Sequence, residues 1–388
     1  MKALPRQAKP PFANIFWFPL AALYSALMLP WSVGGQLGWL PAPEGLLYAW
    51  GHGHEMIFGF ALAVIAGYIA GPQRKEYAFS MIGLWLVARI SFWFAPTSIF
   101  TAMFNIAFVA ALVWKLAPIF LRTAKKWRNK SVGFVLIGLA IASVGFHSVL
   151  QNHGTEDFRL KFLIEGILLL STLMFYMGGR IIAPSLAGHF QRRDINLKDR
   201  VQPKIEGTIL ILLFSALVLN LTVFEWAPML VGRLLFASAL LCIVRILRWR
   251  PWWCYDRVDL LAMLLGYSWI IFGWICIALS LINPKFPISQ ALHAITVGAL
   301  GTLTFTVMAR SRSHRVLRDP NAKPWMFVLV LFIGTAAVLR LSATHMDYSL
   351  NLMLASALWA VAFMGLFVYL LWLGKVERKV KLERQLEE

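Results

Sequence analysis

Residues 50–60 read WGHGHEMIFGF, and from Met56 to Gly71 nearly every side chain is apolar. Two histidines and a glutamate, His52, His54 and Glu55, therefore stand at the mouth of a long hydrophobic run. A run of about 18 or more such residues reads as a membrane span, because about 20 helical residues cross about 30 Å of hydrocarbon. Comparable runs recur along the chain, at 14–33, 54–71, 78–95, 98–118, 131–150, 160–178, 206–225, 227–247, 258–281, 288–309, 324–342 and 349–373. Gly, Pro and charged clusters separate them. The composition agrees: 59% of residues are hydrophobic and 14% charged, mean hydropathy is +0.68, and soluble chains run near a quarter charged. The expected fold is all-α, a polytopic transmembrane bundle of about twelve helices.

The net charge of +19 sits between the spans, with no aromatic-interleaved basic domain, which argues against nucleic acid. Bases gather in every second loop: Lys2, Arg6 and Lys9, then PQRKEY (72–77), RTAKKWRNK (122–130), QRRDINLKDR (191–200), RWRPWWCYDR (248–257), RSRSHRVLRD (310–319) and the C-terminal tail. The alternate loops, such as GGQLGWLPAPEGLLYAWG (34–51) and FAPTS (94–98), carry few or none. The positive-inside rule then places both termini in the cytoplasm. The first apolar run lacks a small-residue cleavage site and reads as a retained helix rather than a signal peptide. Loops are short, so residues 1–388 form one membrane domain. The longest loop, after the sixth span, allows halves at 1–190 and 191–388. Cys242, Cys254 and Cys276 have neither metal-type spacing nor a disulfide pattern.

This topology sorts the eight histidines. His189 and His314 fall in basic inner loops, where contact with solvent or headgroups is expected. His52, His54, His147, His153, His293 and His345 fall near the outer face. His153 and His345 are helix-end or loop residues, whereas His54, His147 and His293 lie inside apolar segments. Ionisable groups at such positions face the bundle and need partners. A regular helix separates His52 and His54 by about 200°. Either they serve two sites, or Gly51 and Gly53 give His52 a non-helical lead-in and the two converge on one. Imidazole suits copper, iron and zinc alike.

Glu55, Gly59, Ala63, Gly67 and Gly71 recur every four residues, a stripe suited to close helix packing or to a flat macrocycle. Glu55 either orients a ligating imidazole or caps the helix start. Arg89, Arg233 and Arg340 lie within spans, and a buried arginine needs an anion; Glu165 or a cofactor carboxylate such as a haem propionate are the candidates. Arg180, Arg245 and Arg310 lie at inner helix ends, where snorkelling to headgroups is expected.

HGHEMIFGFALAVIAGYIA (52–70), GGRIIAPS (178–185), VRILRWRPWW (244–253), HAITVGALGTLTFTVMARS (293–311) and ALWAVAF (357–363) occur in this order. In these segments the chain resembles the NnrS family of bacterial membrane proteins. The entry of the first span lacks the family's arginine, and GPQRKEY replaces its usual turn after the second. The resemblance implies an inner-membrane protein carrying haem, of b type, and copper, linked to nitric oxide metabolism, nitrosative stress and denitrification. Its small ligand would be nitric oxide or an iron–nitrosyl species. Carried onto this chain, the metal candidates are His52, His54, His147 and His293, with Glu55, Arg89, Arg233 and Arg340 supporting cofactor binding.

The competing expectation is a twelve-helix secondary transporter without a redox cofactor, although GPQRKEY lacks the signature of the major-facilitator proteins. Haem–copper oxidases also have twelve spans with haem-ligating histidines on the second and tenth, an analogy of plan alone. Their adjacent His–His copper pair is absent here.

Overall fold

The computed structural model describes residues 10–283, 286–319, 323–345 and 347–387. The basic residues Lys2, Arg6 and Lys9 lie outside them. Twelve helices are long and apolar enough to cross a membrane, here numbered as spans 1–12: Asn14–Gln36, Ala49–Ile69, Lys75–Phe94, Ile99–Thr123, Trp127–Gln151, Glu156–Gln191, Pro203–Asn220, Ala227–Arg248, Val258–Ile282, Ile288–Leu317, Pro324–Leu341 and Tyr348–Val380. All twelve expected helices are present, and the chain is a multi-pass membrane protein.

Several boundaries differ from expectation. Span 2 begins at Ala49, so His52 is helical and has no irregular lead-in. Span 6 continues through the expected loop to Gln191, with Pro184 inside it. At 36 residues it is about 54 Å long and outruns about 30 Å of hydrocarbon. Span 12 is likewise prolonged, its helix reaching Glu387.

The spans pack as three groups of four. Spans 1–4, 5–8 and 9–12 each run through neighbouring helices, and the contacts of span 4 with 5, 8 with 9 and 12 with 1 close the ring. The second member of each group lies at the centre. Spans 2, 6 and 10 bury 78%, 72% and 78% of their most apolar windows, against 67% or less elsewhere. All three touch one another. Side chains placed there leave both water and lipid, so any polar group must find its partner within the protein.

The glycine stripe of span 2 serves packing. A Cβ on Gly67 would meet the Phe18 ring at 2.6 Å, and one on Gly59 would meet Arg89 Nη1 and the Tyr24 ring at 3.1 Å. Span 1 and Arg89 occupy the space that a macrocycle would need on that face.

At the basic end of the bundle, buried carboxylates replace the expected snorkelling. Glu206 accepts from Arg128 at 2.6 Å and from Arg245 at 2.9 Å. Asp259, fully buried, accepts from Arg257 at 2.9 Å and Arg310 at 2.7 Å. Only Arg180 keeps an exposed position, bonded to Asn129 and Tyr176. His189 is also buried rather than solvated, with Nε2 3.1 Å from Asp256. Nearby, burial first and then Asp256 and Asp259 push the Cys254 thiol up to about 11. It is neither a ready nucleophile nor a ready ligand.

Candidate metal centres in the central spans

The four histidines of interest form two pairs at the end opposite these clusters. The reason is helical phase: His52 and His54 lie in regular helix and so point to different neighbours. Immediately after His54 the helix widens into a π segment, Glu55–Ala61. Span 10 does the same after His293, with a π segment at Ala294–Ala299. Such turns are rare and concentrate at functional sites. Both histidines are followed at the fifth position by glycine, Gly59 and Gly298. This His-x4-Gly echo between spans 2 and 10 is a signal that the sequence reading passed over.

The first pair is His54 and His147, both fully buried. Their Nε2 atoms face each other at 3.2 Å. Glu55, also fully buried, fixes one of the two rings. Its Oε1 lies 2.9 Å from His54 Nδ1 and accepts from Arg89 Nη1 at 2.6 Å. Its other oxygen accepts from Trp93 Nε1 at 2.9 Å and from the Tyr24 hydroxyl. Glu55 thus contacts the His54 imidazole, and it is also the carboxylate that faces Arg89. Glu165 is not that anion; it accepts from Asn220 at 2.9 Å. Arg89 is held from its far side by Asn105, whose amide donates to the carbonyls of Ala88 and Thr101.

This network has a chemical consequence. A carboxylate accepts, so His54 Nδ1 carries the proton and its Nε2 presents a lone pair to His147. His147 Nδ1 is buried without a partner. With its proton on Nε2, His147 donates to His54 Nε2 at 3.2 Å; with a lone pair there instead, the two nitrogens repel unless a cation lies between them. Two imidazole nitrogens at about 2.0–2.1 Å from a tetrahedral metal stand about 3.3 Å apart. The observed 3.2 Å suits that arrangement. Phe92 stacks on His54 at 3.7 Å, with Phe146 at 5.0 Å and Phe58 at 5.3 Å. The aromatic walls exclude water and supply no further ligand. Among the described residues no three His, Cys, Asp or Glu side chains gather into a group that could hold a metal ion, so a metal at this pair would rest on two protein ligands alone.

The second pair is His52 and His293, which line a cavity of about 30 Å³ together with Arg340, Leu352 and Trp359. His293 Nδ1 lies 2.5 Å from the Ser289 carbonyl, so it carries a proton and leaves Nε2 free. His52 Nδ1 is buried without a partner. Among the described residues Arg340 has no carboxylate partner; its guanidinium lies 5.8 Å from the Tyr348 ring. Two available imidazoles beside a cation suit a metal-bearing group with its own carboxylates. The space admits one or two water-sized groups, not a macrocycle. Room for haem therefore requires side chains such as Leu352 and Trp359 to move aside.

The remaining expectations fall elsewhere. Arg233 is exposed on span 8, which packs mainly against spans 7 and 9; the structure does not bring it to the histidines. His153, at positive φ in a turn, and His345 are exposed, as is His314. Tyr24, Trp93 and Asn105 were missed because none is ionised at neutral pH. The profile of the NnrS protein family matches residues 15–375, spans 1–11 and most of span 12. The chain belongs to the NnrS family. Both histidine pairs and the Glu55 network lie within the NnrS match. No curated protein matches the chain.

Proposed function

We propose that this NnrS protein binds haem and copper and acts in nitric oxide metabolism and the response to nitrosative stress in a bacterial inner membrane. The histidine end faces away from the cytoplasm, since the basic loops lie at the other end. Copper is assigned to His54 and His147; His52 and His293, with Arg340 for a propionate, would hold haem iron only once Leu352 and Trp359 leave the cavity, which as packed admits no macrocycle. The observation that carries the reading is the opposition of two buried Nε2 atoms at 3.2 Å, one with its lone pair set by Glu55. A copper or haem iron with an open position binds nitric oxide. The protein's residues supply the rest. Glu55 holds the His54 ring and its tautomer, Arg89 supplies Glu55 with a counter-charge at 2.6 Å, and the phenylalanines keep water away. Family membership supports the gas as ligand, either as nitric oxide or as an iron–nitrosyl species.

The test is metal analysis and an absorption spectrum of the purified full-length protein. The expected result is copper and haem together, with a Soret band that shifts on adding nitric oxide. Colourless, metal-free protein after expression with haem and copper supplied would overturn the reading and favour a transporter.

A further inference from the structure

Below the histidines the three central spans do not close on one another. A cavity of about 90 Å³ remains between spans 2, 6 and 10, about three times the space beside His52 and His293. Its deep wall is buried and apolar, formed by Ala61, Val64, Leu170, Leu300 and Leu303. Thr304 adds no polar surface, because its hydroxyl is committed to the Leu300 carbonyl at 2.6 Å. Tyr68 and Met177 are only half-buried, so the cavity is not sealed. None of the four histidines lines it.

Size and chemistry restrict the occupant. The volume exceeds the roughly 10–15 Å³ that one water needs, yet a water also needs two to four polar partners and finds none here. Cavities of this kind stay dry and take apolar guests such as xenon. A charged or hydrogen-bonding ligand would leave its polar groups unmet.

Position suggests why such a space is kept. Ala61 is the seventh residue after His54, and Leu300 the seventh after His293. Each is therefore at most about 10 Å along its helix from its histidine. Ala61 also ends the π segment of span 2, and Leu300 follows that of span 10. The cavity lies at the same sequence distance from one histidine of each pair.

We infer that this cavity is a binding site for a small, uncharged, apolar molecule of diatomic-gas size, held between the bilayer and the two histidine pairs. That the natural guest is nitric oxide rests on the proposed function; that the cavity takes such a guest does not. Xenon is the probe, because it binds by size and apolarity and needs no metal. Xenon NMR on the purified full-length protein in detergent is expected to show a saturable bound population. Val64→Phe and Ala61→Leu, filling the cavity from two points, are expected to abolish it. Val361→Phe on the exposed face of span 12 is expected to leave it unchanged. Thermal unfolding of each variant confirms that it folds, and two fillings guard against one that does not. Xenon binding unaltered in both folded filling variants would overturn the inference. So would a co-purifying acyl chain that native mass spectrometry finds in the wild type and not in Val64→Phe. Metal-free protein that still binds xenon would fail the proposed function and leave the cavity assignment standing.

Discussion

The two histidine pairs share span 2 but differ in how their surroundings treat charge. Around His54 and His147 the charges cancel locally: Glu55 meets Arg89 at 2.6 Å, and the Trp93 and Tyr24 donors complete its shell. Around His52 and His293 a guanidinium lines the cavity and, among the described residues, no carboxylate answers it. On the proposed function, the first pair would hold a bare cation between its rings. The second, on the same proposal, would receive a group that brings negative charge with it. The same helix presents both because two residues of helical phase turn the rings to opposite sides.

Breaking the Glu55 network should have the largest effect. Glu55→Gln leaves Arg89 buried without its anion, and removing one partner of a buried pair costs about 3–5 kcal/mol. Thermal unfolding in detergent should show a large loss of stability, partly recovered in the double variant Glu55→Gln/Arg89→Met. A loss below about 1 kcal/mol would mean that Glu55 does not carry this charge.

Arg340→Ala tests the other side of the comparison. If the cofactor there brings carboxylates, loss of a charge-assisted hydrogen bond, worth about 1.5–3 kcal/mol, should weaken its retention roughly 10–100-fold. Metal at His54 and His147 should be unchanged, and Arg340→Lys should keep part of the retention. Equal loss of metal from both pairs in a dialysis titration would erase the proposed distinction.

The sequence made part of this legible. Twelve apolar runs and alternating basic loops gave the span count, and burial of ionisable side chains singled out His54, His147, His293, Glu55 and Arg89. The Arg89–Glu55 pair could have been anticipated: each is a charge inside an apolar span and each needs the other sign. It was missed because no sequence pattern fixes the register between spans 2 and 3. Hydropathy treats Tyr24 and Trp93 as ordinary span residues, and their donor roles depend on where spans 1 and 3 meet span 2. The basic end misled for a related reason. Arg245 and Arg310 have the sequence context of snorkelling side chains, and only the packing reveals Glu206 and Asp259 beside them.

Smaller changes sharpen the same contrast. Trp93→Phe removes one of four groups around Glu55, and with the others in place should cost about 1 kcal/mol without loss of metal. Chemical denaturation of the purified variant measures it. His153→Ala and His345→Ala, both exposed and outside the pairs, should change stability by less than about 0.5 kcal/mol and leave metal content unaltered. A metal loss in either would extend the sites beyond the four central histidines.

The central claim is that span 2 serves two separate centres, and the most direct measurement is the copper and haem content of His54→Ala and His52→Ala prepared side by side. His54→Ala should lose copper and keep haem, with His147→Ala behaving alike. His52→Ala should lose haem or shift its spectrum and keep copper, with His293→Ala behaving alike. Loss of both groups in each folded variant, or retention of both in all four, would contradict two centres divided by helical phase.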